Sequence, residues 1–366
     1  MHPLLADAPI VRIAVFRALM LGDMLCAVPA LRALRGAFPG AAITWIGLEP
    51  TRAMAARLDH LVDDFIALPG YPGLPEVPVD RAALPGFFAE ARSRRFDLAL
   101  QMHGSGAIVN PLVAALGARH SAGFFDADAP IPRRDESLFA RWPSAGHEIT
   151  RMLALTDHLD LPRRGCEPEF PVAAADRDAL AATWPASADS SPYVCVHAGA
   201  QLPSRRWPIE RFAAVADALA ASGRTVVLTG SAGEAAIVDA LMQRMRRRAV
   251  NLAGRTTLGA LGALIEGAAA IVCNDTSVSH IAAALACPSV VISCGADASR
   301  WAPLDTDRHR VLWQAMPCRP CAHAVCPIGH PCAEAISVDA VLAALRSLVA
   351  VDRHPDLAHA SESGRP

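Results

Sequence analysis

The most chemically loaded stretch of the chain is Cys273-Asn274-Asp275-Thr276-Ser277-Val278-Ser279-His280, set between an apolar β-type run and an alanine-rich helical stretch. Asp275 and the hydroxyls of Thr276 and Ser277 stand where a helix should begin, so backbone N–H groups and the positive end of the helix dipole would face a bound anion. His280 follows about one turn later, at the same helix end. Taken singly, each of these residues also suits a plain helix cap or a packed histidine; together they point to an anion site.

A second candidate segment closes an earlier apolar run and reads His197-Ala198-Gly199-Ala200-Gln201-Leu202-Pro203-Ser204-Arg205-Arg206-Trp207-Pro208. Gly199 and Ala200 are small enough to let backbone approach a ligand, and Arg205 and Arg206 offer planar forks to a phosphate. The plain alternatives are a solvated arginine pair and an ordinary helix start at Trp207-Pro208. Glu234, after Gly230-Ser231-Ala232-Gly233, stands where an acid can accept hydrogen bonds from both hydroxyls of a ribose, or it is a first-turn glutamate. Asp23 closes the loop Arg17-Ala18-Leu19-Met20-Leu21-Gly22-Asp23 and is either a helix cap or a general base.

Near the end, Cys318, Cys321, Cys326 and Cys332 are separated by two, four and five residues, with His323 and His330 among them. Four thiolates so spaced fit a tetrahedral zinc or iron site, and such a site would be structural because no coordination position stays open. Four unligated thiols in a reducing compartment are the alternative. Cys26, Cys166, Cys195, Cys273, Cys287 and Cys294 are scattered, several of them in apolar segments, and are expected to be reduced core residues.

These loops need a frame. Short β-type runs (11–16, 42–46, 97–102, 193–197, 225–229, 270–273, 289–293) alternate with helical stretches (209–222, 234–247, 258–268, 280–286), the pattern of parallel sheets covered by helices. The proline-bearing segment 68–85 reads as an irregular loop, and the Pro-, Arg- and Ala-rich stretch 162–192 as a joint between two halves. Two Rossmann-like domains facing each other across a central cleft, residues 1–170 and 171–350, are therefore expected, with a polar, disordered tail over 351–366.

Composition narrows the classes. The 34 basic residues are all arginine, which removes lysine Schiff-base and P-loop chemistry. A net charge of -2 argues against nucleic-acid binding driven by overall charge. A hydrophobic fraction of 52% suffices for two cores. No apolar run is long enough to span a bilayer, and the start lacks the basic region of a signal peptide, so a cytoplasmic location is expected. Neither half carries G-x-G-x-x-G after its first strand, which disfavours a dinucleotide dehydrogenase.

In order, R-x-x-x-L-G-D with C-A-V-P-A-L-R-A-L-R-G-A-F-P, then G-A-Q-L-P-S-R-R-W-P, a Gly-rich turn with Glu234, and N-D-T-S-V-S-H-I-A-A-A-L-A-C-P resemble glycosyltransferase family 9. Members of that family include ADP-heptose:lipopolysaccharide heptosyltransferases, and the likeness runs from about Arg12 to Leu348. The resemblance implies a GT-B fold with the acceptor held mainly by the first domain and the nucleotide sugar mainly by the second. It implies an inverting transfer of heptose from ADP-heptose to a lipopolysaccharide inner-core or related acceptor, with no cofactor for catalysis. Asp23 matches the family's proposed general base, Arg205 the usual lysine at the diphosphate, and Glu234 the ribose acid. Asp275, Thr276, Ser277 and His280 match the loop around the diphosphate and donor sugar, with Ser277 where the family often has glycine. Gly199 and Ala200 fall in the matched donor segment. Cysteine-rich tails like 318–332 also occur in the family. Another donor sugar, or a nucleotide-binding protein without catalysis, are the remaining readings. Peripheral contact with the cytoplasmic face of the inner membrane follows from such an acceptor; Arg92, Arg94 and Arg95 either face anionic headgroups or form a solvated helix end.

Overall fold

The computed structural model describes residues 1–185 and 192–351. The chain divides into two compact units, Met1–Pro171 and Val172 onward. The tail expected to be disordered lies, beyond Val351, outside the described residues.

Each unit is built on one parallel six-stranded sheet. The first contains β1 (Arg12–Phe16), β2 (Ala42–Gly47), β3 (Asp64–Ala67), β4 (Leu98–Gln101), β5 (His120–Phe125) and β6 (Phe139–Arg141), in the order β3-β2-β1-β4-β5-β6. The second contains β7 (Tyr193–His197), β8 (Thr225–Leu228), β9 (Val250–Asn251), β10 (Ala270–Asn274), β11 (Ser289–Ile292) and β12 (His309–Leu312), in the order β12-β11-β10-β7-β8-β9. Counted within its own unit, the second order repeats the first. Both are the Rossmann order, in which the chain reverses direction across the sheet at the pair formed by the first and fourth strands. Those pairs are β1 with β4, where Ile13 sits beside Leu98, and β7 with β10, where Cys195 sits beside Ile271.

Helices cover both faces of such sheets, which is why the central strands are apolar without alternation. Ile13, Ala14, Val15 and Phe16 are all fully buried, as are Val194 and Cys195. In the second unit Val196, Leu228, Val272 and Ile292 form a core with Trp207, Phe212 and Leu345. The Trp207 indole N–H donates to the Ile336 carbonyl at 3.1 Å and its ring stands edge-on to Phe212 at 5.1 Å. Truncating it to alanine would cost about 3–5 kcal/mol.

Several boundaries differ from the sequence expectation. The helix expected over 234–247 is preceded by a 3-10 turn, Ala232–Glu234, and runs only from Ala235 to Arg244. The helix expected from His280 starts earlier and spans Ser277–Ala284. Of the six scattered cysteines, Cys26, Cys195, Cys273, Cys287 and Cys294 are buried, whereas Cys166 is exposed beside Arg164 and Gly165 in an irregular stretch. Burial pushes the Cys294 thiol up to about 12 and that of Cys195 well above the ordinary range, so these are unreactive packing residues. Among the described residues no helix is long and apolar enough to cross a membrane.

Candidate functional site

In open parallel sheets ligands lie beyond the carboxyl ends of the strands, at the point where the strand order reverses. In the second unit that position belongs to the loops after β7 and β10, flanked by those after β8 and β11. They carry Gly199, Ala200, Arg205, Glu234 and the segment from Asp275 to His280.

Asn274, fully buried at the end of β10, ties two of these loops together. Its Oδ1 accepts from the Trp207 backbone N–H at 2.9 Å, and its Nδ2 donates to the carbonyls of Ala198 and Gly199 at 2.9 and 3.3 Å. The amide thus holds the start and the end of the loop after β7 against β10. Gly199 lies so close to Glu234 that a Cβ added there would stand 2.0 Å from Glu234 Oε1. Glu234 is fixed from the other side, its Oε2 accepting from the Ser231 N–H at 2.8 Å and hydroxyl at 2.9 Å, a capping box. The first-turn role and a ligand-facing position are therefore compatible, because only one carboxylate oxygen makes the cap. At the end of β7, His197 Nδ1 meets the Thr229 hydroxyl at 3.0 Å. Burial holds its pKa below the usual histidine range, with the Glu234 carboxylate 3.8 Å away acting in the opposite sense.

The two arginines are not a solvated pair. Arg206 Nε donates to the Ala200 carbonyl at 2.8 Å, bracing the loop after β7. Arg205 lies in the 3-10 turn Pro203–Arg205 and its Nη2 donates to the Cys321 carbonyl at 2.8 Å.

After β10 the chain turns directly into the helix Ser277–Ala284. Thr276 is its N-cap residue, with extended backbone, but its side chain makes no capping bond. Ser277, where glycine is usual in the family, has no left-handed backbone, so a side chain is tolerated there without strain. Asp275 Oδ2 accepts from the Ser293 hydroxyl at 3.0 Å, which places the carboxylate between the ends of β10 and β11. Ser293 is in turn held by Arg319, whose Nη1 donates to its carbonyl at 2.8 Å and Nη2 to its hydroxyl at 3.2 Å. The His280 ring stands edge-on to Trp301 at 6.2 Å. The first N–H groups of this helix and the positive end of its dipole lie just beyond β10.

The four cysteines of segment 318–332 differ in their surroundings. Cys318 is exposed, Cys321 and Cys326 are half-buried, and Cys332 is buried in the core shared with Trp207. Among the described residues no three His, Cys, Asp or Glu side chains come together to hold a metal ion. The segment acts as a strap: the Ser204 hydroxyl donates to the His323 carbonyl at 2.6 Å, Ser204 N–H to the Ala324 carbonyl at 3.0 Å, and Cys321 N–H to the Gly295 carbonyl at 2.7 Å. It braces the loop after β7 through these carbonyls and the His330 ring, whose Nε2 meets the Ser204 carbonyl at 2.9 Å, and the loop after β11 through the Cys321 N–H and the Arg319 guanidinium.

Asp23 belongs to the first unit, in the first turn of the helix Leu21–Ala37 just beyond β1. Its carboxylate is partly exposed and lies 3.5 Å from Nη2 of Arg17, a residue with no exposure at all. Arg17 also pairs with Glu148 at 2.9 Å. Sequence reading missed Arg17, Glu148, Asn274, Ser293 and Arg319. A polar residue directly after a buried apolar run, as at Arg17, Asn274 and Ser293, is a usable signal; for Glu148 and Arg319 there is none. The proposed membrane-facing arginines are engaged within the unit: Arg94 pairs with Asp64 and Glu90, and Arg92 Nε donates to the Ala115 carbonyl.

The sequence model of glycosyltransferase family 9 (heptosyltransferase) matches residues 87–331. The lipopolysaccharide heptosyltransferase 2 of Salmonella typhimurium is 27% identical over 291 residues, 74% of this chain and 79% of that protein. The lipooligosaccharide heptosyltransferase 2 of Haemophilus influenzae is 33% identical over 114 residues, so this match spans only 33% of its length. Among solved structures, E. coli ADP-heptose lps heptosyltransferase II superposes with a TM-score of 0.74 at 23% identity, covering 94% of this chain and all of that one.

Proposed function

This chain belongs to glycosyltransferase family 9, and on that premise we propose that it moves a heptose from ADP-heptose to a hydroxyl of a lipopolysaccharide inner-core acceptor, with inversion and without a catalytic metal. The observation that carries this reading is the cluster at the reversal point of the second sheet: Gly199 under the Glu234 carboxylate, beside an uncapped helix N-terminus after Asp275. A carboxylate for a ribose diol next to N–H donors for a diphosphate is the chemistry that a nucleoside diphosphate sugar demands. The names of its relatives supply the heptose and the lipopolysaccharide.

In this mechanism the acceptor oxygen attacks the anomeric carbon while the bond to the diphosphate breaks and its electron pair leaves with ADP. Asp23 takes the proton of the attacking hydroxyl. The departing charge meets Arg205 and the N–H groups at Thr276 and Ser277, dipoles already oriented before the reaction. Gly199 and Ala200 admit the donor to the loop, Glu234 holds the ribose, and Asp275 with His280 holds the sugar end. The diphosphate carries two negative charges in the donor and gains a third as the bond breaks; in this reading the arginine and the fixed dipoles meet that added charge in place of a divalent cation. The Cys318–Cys332 strap is assigned a bracing role with reduced thiols. The enzyme works at the cytoplasmic face of the inner membrane, reached through the lipid of its acceptor.

The decisive assay is ADP release from ADP-heptose in the presence of a heptose-deficient lipopolysaccharide. Turnover that needs both substrates is expected; no turnover, with tight binding of a different nucleotide sugar, refutes the donor. Asp23→Asn should lower kcat by about 10²–10⁴-fold while ADP affinity stays near wild type. Wild-type kcat in that variant would remove Asp23 from the reaction.

A further inference from the structure

We infer that Arg17 and Glu148 form a buried charge relay that positions Asp23 and sets its strength as a base, an inference that rests on Asp23 being the base. Arg17 follows β1 directly, and its backbone is clamped on both sides: its N–H donates to the Ile46 carbonyl at 3.0 Å and its carbonyl accepts from the Trp45 indole at 3.1 Å. The guanidinium is spent completely. Nε donates to the Asp23 carbonyl at 2.8 Å, and Nη1 to the Met102 carbonyl at 2.5 Å and to the Met152 sulfur at 3.0 Å. Nη2 reaches Glu148 Oε1 at 2.9 Å and Asp23 Oδ1 at 3.5 Å. One side chain thereby joins the end of β1, the end of β4, the first turn of the helix Leu21–Ala37 and the helix Glu148–His158.

Its exposure pattern shows what the arrangement is for. Arg17 is wholly buried and the Glu148 side chain is 1% exposed, but that of Asp23 is 23% exposed. A buried ion pair seldom adds stability over well-packed apolar residues, so two buried charges are a costly way to hold a helix end. They are an effective way to hold a carboxylate, because a planar fork bonded at every N–H cannot rotate. Glu148 then has a second consequence. When Asp23 accepts the proton of the acceptor hydroxyl, it loses its charge; the Glu148 carboxylate still neutralises Arg17, so the step leaves no uncompensated buried cation. With Arg17 alone beside it, Asp23 would be a weaker base. Other charged groups on the packed elements have bonds of their own. Arg151 donates to the carbonyls of Gly146 and Ser144, His147 Nδ1 accepts from the Ile149 N–H, and His103, after β4, pairs with Glu76 at 3.4 Å.

The test uses the full-length enzyme with ADP-heptose and a heptose-deficient lipopolysaccharide. In Glu148→Gln the acid limb of the kcat profile should move about one pH unit lower, with the plateau down about three- to tenfold. Arg17→Lys keeps the charge but gives up the fork; kcat should fall at least about tenfold while ADP binds as before. A Glu148→Gln enzyme that loses kcat with its acid limb unmoved has lost structure only, and that overturns the inference. So does wild-type kcat in Arg17→Lys, which carries the test by itself if Glu148→Gln does not fold. If Asp23→Asn is inactive while both variants behave as wild type, the relay fails and the base assignment stands. If Asp23→Asn keeps wild-type kcat, the base assignment itself fails.

Discussion

Gly199→Ala tests the donor site through a single methyl group. The residue has no left-handed backbone to protect, so alanine introduces no strain in φ. The whole effect comes from contact: the new Cβ would lie 2.0 Å from Glu234 Oε1 and 2.4 Å from its carboxyl carbon. Glu234 must swing away, and in doing so it gives up both bonds to Ser231. Loss of a cap of this kind costs about 0.5–2 kcal/mol of stability, or roughly 2–4 °C per kcal/mol in a unit of this size. The functional loss should be larger. Two ribose hydroxyls deprived of a charged acceptor forfeit about 1.5–3 kcal/mol, which is on the order of 10- to 100-fold in ADP affinity. Calorimetric titration with ADP measures it directly, alongside Glu234→Gln and the double variant. Because the methyl group acts through Glu234, the two effects should be strongly non-additive. Additive losses, or unchanged ADP affinity in Gly199→Ala, would refute both the contact and the ribose role.

Arg205→Ala should raise the ADP-heptose KM by about tenfold and lower kcat as well, since a charged donor to a leaving phosphate acts in the transition state; Arg206→Ala, which loses only a brace on Ala200, should do markedly less in steady-state kinetics. Thiol titration of the native protein should find Cys166 and Cys318 reactive and Cys332 protected until unfolding. Elemental analysis should show no stoichiometric zinc or iron; one metal per chain with all four thiols of 318–332 protected would contradict the strap. His309 supplies a pH test. Burial lowers its pKa from 6.5 to about 4, and its Nδ1 meets the Ser289 hydroxyl at 2.8 Å. A depressed folded pKa means that the contribution is complete above the unfolded value and is lost as pH falls from about 6.5 towards 4, by roughly 3 kcal/mol at most. Chemical denaturation across that range should show the decline, and His309→Gln should flatten it.

The strands that form the middle of each sheet were legible because burial on both faces leaves an unmistakable run of apolar residues, as in Val194-Cys195-Val196. The edges were not. β9 has two residues, β6 three, β3 and β12 four each, and β5, next to the edge strand β6, mixes histidine, serine and glycine with its aromatic residues. Such strands are held by pairing with a neighbour rather than by their own pattern. Helix starts drifted where a ligand-type loop took up the first turn, as at Glu234 and Ser277. The loops themselves stood out, since small residues, hydroxyls and charges crowded at the end of an apolar run have few uses other than capping or binding.

Residue types and their local order thus marked which loops have the groups for chemistry, and with the family resemblance they identified Asp23, Arg205, Glu234 and Asp275 to His280 as candidates. Tertiary structure alone decided how those residues are held. Arg17 and Glu148 are 131 positions apart, Arg205 and Cys321 are 116 apart, and Trp207 and Asn274 are 67 apart. Four closely spaced cysteines form one group along the chain, and it is the fold that sends Cys332 into the core and leaves Cys318 in solvent. Periodicity and capping act over a few residues and can be read from order, whereas a side-chain partner depends on which strand lies beside which, and that is settled only when the sheet assembles.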